Sequence, residues 1–172
     1  MKLKRNLANR MFRTLGTMAL GHLDTATLDA VMDNFNALRK VAEDYENMRQ
    51  ELTKRLYADV EETRRKEFFE LVTKMEVEKD VNKRTEYSTI AEASYPDIWT
   101  IYYIKHTEVI NRLLDKEVDV ELTEVDSDLF VKGIVKGKKD APVLEITSIF
   151  APMLKKEDKA DTDFSELEEL LK

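Results

Sequence analysis

Residues 28–56 place the strongest constraint on what this chain can fold into. Apolar side chains recur there at Leu28, Val31, Phe35, Leu38, Ala42, Tyr45, Leu52 and Leu56, the three-and-four spacing of one helix face, and no Gly or Pro interrupts the run. A helix of about thirty residues is ~45 Å long at ~1.5 Å per residue. An element of that length builds a helical hairpin, a bundle or a coiled coil. It points toward assembly or interaction before catalysis.

The rest of the composition agrees with a helical fold. In 172 residues, 42% hydrophobic content suffices for a buried core, and 37% charged residues with four Gly and three Pro favour helices over sandwiches or barrels. No window approaches the ~18 apolar residues of a membrane span. The absence of cysteine excludes disulfides and thiolate metal sites and is compatible with a reducing cytoplasm, the compartment we expect. We therefore expect a mainly α chain: a long helix or helical hairpin with further packed helices and a small C-terminal β element. Residues 1–154 are read as one helical domain and residues 155–172 as an acidic, flexible tail.

The net charge of −7 is unevenly spread. Residues 1–23 hold Lys2, Lys4, Arg5, Arg10 and Arg13 and no acid, whereas residues 156–172 hold seven acids against Lys156, Lys159 and Lys172. Such a head and tail can pair with each other or meet separate partners.

A first helix is expected over residues 6–20, with Leu3, Leu7, Met11, Phe12, Leu15 and Met18 on one face and Gly21 as its C-cap. Arg10 and Arg13 break the apolar stretch and no cleavage-type sequence follows, so it does not read as a secretory signal. Its acid-free, Arg-containing character is shared with organellar presequences, a reading given less weight because the stripe continues into a capped hairpin. Asp24 or Thr25 caps the long helix, which runs to about Tyr57. A further helical stretch covers residues 59–79, and the sequence leaves open whether the chain bends near Ala58. Glu51 and Arg55, Glu61 and Arg65, Glu62 and Lys66, and Glu70 and Lys74 stand four apart with the acid first, the favourable order on a helix.

Residues 80–95 read as a polar connector. Pro96 then opens a helix over residues 97–116, buried along Ile98, Tyr102, Val109, Ile110 and Leu113. Beyond Glu117 the period changes. Val118, Val120 and Leu122 alternate with polar residues and read as a strand, residues 129–135 fit a strand or a short helix, and residues 143–150 read as another strand ended by Pro152. A small antiparallel meander is the preferred arrangement. Residues 164–171 are expected to form a short acidic helix with an apolar stripe of Phe164, Leu167, Leu170 and Leu171, able to dock in a partner groove.

Chemistry-bearing motifs are missing. His22 and His106 stand far apart, and neither sits in a sequence that supports nucleophilic catalysis, so His106 is read as structural. Glu61, Glu62, Glu67 and Glu70 could converge on a cation, but Arg64, Arg65 and Lys66 among them favour ion pairing, and no Glu-x-x-His or His-Glu-x-x-His is present. Gly133 to Lys139 superficially resembles a phosphate loop. It is one residue short and lacks the Ser or Thr after the lysine, so a solvated turn is the plainer reading.

Two stretches together carry a family resemblance. One is Asn34-x-x-x-Leu38 followed by Tyr45-Glu46-x-x-Arg49-x-x-Leu52, and the other runs from Val109 through Leu113, Leu114 and Asp115 to Leu122. The chain resembles, over residues 1–57 and 105–130, a group of small phage and prophage proteins of unknown function. In that group a short helix leads into a long one, and a later helix ends in a leucine-rich turn and an alternating Glu/Val segment. The resemblance implies a mobile-element origin and assigns no functional residues.

The reading that follows is a non-enzymatic interaction protein with no cofactor, no metal, no membrane span and no small-molecule substrate, which pairs with a protein partner or with itself. Candidate interaction residues are the basic head (Lys2, Lys4, Arg5, Arg10, Arg13) and the aromatics Trp99 and Tyr103. The alternative is a nucleic-acid-associated protein using the basic N-terminal helix.

Overall fold

Asp24 starts the longest element of the protein. In the computed structural model, which describes residues 1–139 and 141–155, its carboxylate accepts the Thr27 hydroxyl at 2.6 Å and the Thr27 amide at 3.1 Å, and the long helix follows without a break. Those two bonds hold the Asp24 carboxyl below the usual carboxylate range. The element order is β1 (Lys2–Lys4), α1 (Arg5–Thr17), α2 (Thr25–Leu56), α3 (Glu62–Val77), α4 (Val81–Ser94) and α5 (Pro96–Thr100). A π-helical turn (Ile101–Lys105), α6 (His106–Asp115), β2 (Glu117–Asp119), α7 (Ser127–Gly137) and α8 (Val143–Phe150) complete it. The chain is mainly α, as the apolar periodicity predicts. The expected tail beyond Lys155 lies outside the described residues.

Contacts divide the described residues into two compact units, Glu43–Glu117 forming one and Met1–Ala42 with the described residues from Val118 to Lys155 forming the other. In the discontinuous unit, Leu3, Met11 and Leu15 meet Val31 and Leu38 of α2 and Phe130, Ile146, Ile149 and Phe150 of α7 and α8. Two ring contacts stiffen this core: Phe12 stacks on Phe35 at 4.9 Å, and Phe130 meets Phe150 edge-on at 5.7 Å. Asn34, fully buried in α2, holds the chain after β2. Its Nδ2 donates to the Thr123 carbonyl at 2.8 Å, and its Oδ1 accepts the Thr123 amide at 2.6 Å.

Asn9 of α1 is also buried, but neither its Oδ1 nor its Nδ2 has a hydrogen-bond partner. A buried polar group left unmade costs about 1–3 kcal/mol. Asn9→Leu, close in volume, is therefore expected to raise stability by roughly 1 kcal/mol in denaturant titration. A loss of stability would show that the amide makes an interaction worth keeping.

The C-terminal part of the described chain differs from expectation. The small β element is not a C-terminal meander. Met1 and Val120 exchange both backbone bonds, at 2.8 and 2.9 Å, the pattern of an antiparallel pair, so β1 at the N-terminus pairs with β2. Residues 143–150 form a helix, because the β-branched run places Ile146, Ile149 and Phe150 three and four apart on the core side, behind Pro142 at the N-cap. Of the strand and short helix that residues 129–135 fit, the helix forms, over Ser127–Gly137, capped by the Asp126 carboxylate accepting the Leu129 amide at 2.9 Å.

That helix also removes the solvated-turn reading of Gly133 to Gly137. The two glycines lie one turn apart, and a Cβ on Gly133 would collide with the Leu23 side chain. One on Gly137 would come within 3.1 Å of the Ala19 carbonyl. They are small because the chain around residues 19–23 crosses them closely.

In the Glu43–Glu117 unit, residues 80–95 are not a connector but α4, opened by the Asp80 carboxylate on the Asn82 and Lys83 amides at 2.8 and 3.3 Å. The chain breaks after α2 and again before α4, so α3 and α4 form a hairpin. The first helix also ends earlier than expected, at Thr17, with Met18 rather than Gly21 as its C-cap. Of the spaced acid–base pairs, Glu51–Arg55 and Glu62–Lys66 close, at 2.9 and 2.8 Å. No helix among the described residues is long and apolar enough to cross a membrane.

Candidate interaction surface

Pro96 sits in the first turn of α5, where its missing N–H costs nothing, and Tyr95 precedes it. The helix then passes through one π-helical turn, Ile101–Lys105, before resuming as α6. A π turn inserts a residue into the helical repeat and turns the following side chains away from the face set by Ile98; such turns recur at functional sites. Here the inserted turn contains Tyr102, Tyr103 and Ile104.

Behind it lies an aromatic core. Phe68 of α3 is fully buried and meets Phe69, Tyr95 and Tyr102 edge-on at 5.5, 6.2 and 5.7 Å. Tyr57 is buried beside Phe69, and the loss of solvent pushes its hydroxyl up to about 12, so it stays protonated. Tyr102 and Tyr103 are raised as well, by burial first and then by neighbouring tyrosine or Glu76 charge. None of these phenols is poised to act as a base near neutral pH.

Trp99 and Tyr103 are brought together, with ring centroids 4.2 Å apart at 44°. Trp99 is half-buried against the aromatic core, while Tyr103 is 40% and Ile104 53% exposed. Together the three make an apolar ledge whose inner edge is anchored and whose outer edge faces solvent. Next to it is a cavity of about 280 Å³ lined by Val72, Met75, Glu76, Arg84, Tyr102 and Tyr103. Trp99 and Tyr103 stand out in the sequence because the aromatics concentrate at Trp99, Tyr102 and Tyr103. Arg84 does not, because α4 is polar nearly all round and shows no apolar stripe.

Polar clamps hold this region in place. Arg64 donates two bonds to Asp97, at 2.9 and 3.0 Å, and its guanidinium lies 5.9 Å over the Tyr95 ring. The Tyr95 hydroxyl donates to Glu67 at 2.9 Å, which raises the phenol, and the Arg64 bonds hold Asp97 below the usual carboxylate range. A carboxyl depressed in the folded state stabilises above its unfolded value, and that contribution is lost as pH falls through the depressed one. Wild type is thus expected to melt above Asp97→Asn at neutral pH, the two melting curves converging below about pH 4. A gap that persists at low pH would mean that the pair is not the source. Both partners are partly exposed, so the effect is small.

The remaining candidates are dispersed. Lys2 and Lys4 are exposed on either side of buried Leu3, Arg10 and Arg13 are exposed on α1, and Arg5 is buried. His106 contacts the Thr53 hydroxyl through Nε2 at 3.3 Å, tying α6 to α2. Glu62 and Glu67 are engaged by Lys66 and Tyr95, and no three metal-ligating side chains converge among the described residues. Comparison with known protein families, curated proteins and solved structures gave no match to this chain.

Proposed function

We propose that this chain is a non-enzymatic interaction protein, a cytoplasmic assembly or accessory factor of phage or prophage origin, that associates with a second copy of itself through the aromatic ledge. The observation that carries the reading is the exposed Tyr103–Ile104 edge projecting beside a cavity of about 280 Å³. A two-fold interface must be self-complementary. This surface offers an exposed apolar edge beside a recess that Tyr103 itself lines, with Glu76 and Arg84 of opposite charge in the recess. A two-fold partner can set the edge of each copy in the recess of the other and each Arg84 against a Glu76. Anchored aromatics of this kind supply contact area with little entropy to lose, and they dominate interface energies.

Trp99 is the one tryptophan in the sequence and lies against the ledge, so its emission reports on this surface. Dilution of wild type is expected to move the emission to longer wavelength as the ledge returns to water. Tyr103→Glu combined with Ile104→Glu should make the emission independent of concentration. Ile104 is 53% exposed but Tyr103 packs on Trp99 and Tyr102, so far-ultraviolet circular dichroism of the double variant checks that the fold is kept. Emission independent of concentration in wild type would contradict self-association here.

A further inference from the structure

A second recess lies in the other unit. A groove of about 280 Å³ runs between the C-terminal end of α1, α7 and α8, and Met18, Ile134, Ile146 and Ile149 supply its apolar lining. Thr14, Thr17, Lys138 and Glu145 add polar lining. Arg10 and Arg13 continue the same side of α1, because residues 10, 13, 14 and 17 are spaced three and four apart. The groove therefore has an apolar lining with one cation, Lys138, and one acid, Glu145, and Arg10 and Arg13 extend the cationic surface along α1 beyond it, a setting that fits an acidic amphipathic helix.

We propose that this groove is the binding site for the chain's own segment 164–171. That segment lies outside the described residues, and its chemistry is read from sequence: Phe164, Leu167, Leu170 and Leu171 repeat at helical spacing, with Glu166, Glu168 and Glu169 between them. The charges are complementary. Residues 1–42 and 118–155 carry twelve Lys and Arg against ten Asp and Glu, whereas residues 156–172 carry three against seven. The geometry of exit fits as well. Lys155 is pinned by its amide on the Val125 carbonyl at 2.8 Å, five residues after α8, which forms one wall of the groove. The eight residues from 156 to 163 can span about 25 Å at ~3.3 Å each, enough to turn back along a helix of that size. This surface is separate from the aromatic ledge, and the inference stands or falls independently of self-association.

The chain has no cysteine, so a single one can carry a probe. A nitroxide placed at Glu169→Cys in the full chain is expected to broaden the amides of Thr14, Thr17, Lys138 and Glu145 in nitrogen-15 spectra. That broadening should weaken in high salt and disappear when Leu167→Asp and Leu170→Asp are added. Unbroadened groove amides would overturn the proposal. So would broadening seen only when spin-labelled protein at natural isotope abundance is mixed with unlabelled nitrogen-15 protein, because the occupant would then be another copy's segment.

Discussion

Phe68→Ala is expected to lower the stability of the Glu43–Glu117 unit by about 3–5 kcal/mol, the cost of emptying a fully buried phenylalanine site. The residue sits at the centre of a ring cluster, with Phe69, Tyr95 and Tyr102 all within 6.2 Å of its centroid. Those neighbours are large and held from outside: Tyr95 by Glu67, and the turn carrying Tyr102 by α5 and α6. They cannot collapse far into the vacancy, which puts the cost toward the upper end of the range. Denaturant unfolding followed through Trp99, which lies in the same unit, measures it directly. Phe68→Leu should recover a large part of the loss. A Phe68→Ala cost below about 1 kcal/mol would mean that the cluster is not packed as described.

Asn34→Ala is expected to cost about 2–4 kcal/mol. Asn34 is the only side chain gripping the Thr123 peptide among the described hydrogen bonds, and it does so from both sides, at 2.6 and 2.8 Å. Its loss removes two bonds and leaves a void in the core next to Met153, whose sulfur lies 3.5 Å from Nδ2. Asn34→Asp is expected to be at least as damaging at neutral pH, because a carboxylate turns an acceptor toward the Thr123 carbonyl and buries a charge as well. An Asn34→Ala protein as stable as wild type would show that the grip contributes nothing.

What could be read beforehand divides along physical lines. The long helix was legible because its apolar stripe is uninterrupted and Asp24 is a strong cap. The helix after Pro96 was legible because proline in a first turn has one dominant meaning. Trp99 and Tyr103 stand out because the aromatics concentrate at residues 99–103. By contrast, α4 buries only Ala91, so its existence depends on the hairpin with α3 and on the Asp80 cap, not on a stripe. In α8 the β-branched residues pointed toward a strand, and the core contacts of Ile146, Ile149 and Phe150 decided for a helix. Asn34 reads as an ordinary polar helix residue until its partner, 89 positions away, is known. The cavity beside Tyr103 was illegible for the same reason: it joins Arg84 of an unrecognised helix to a π turn that no local spacing announces.

The most direct test of the central claim is the solution mass of the full chain, by size-exclusion chromatography with light scattering at low and high salt. An association built on an apolar ledge depends weakly on ionic strength. The account predicts a discrete multiple of the single-chain mass at both salts, falling to one chain in the Tyr103→Glu and Ile104→Glu double variant. A wild-type chain that remains at single-chain mass under both conditions would contradict it.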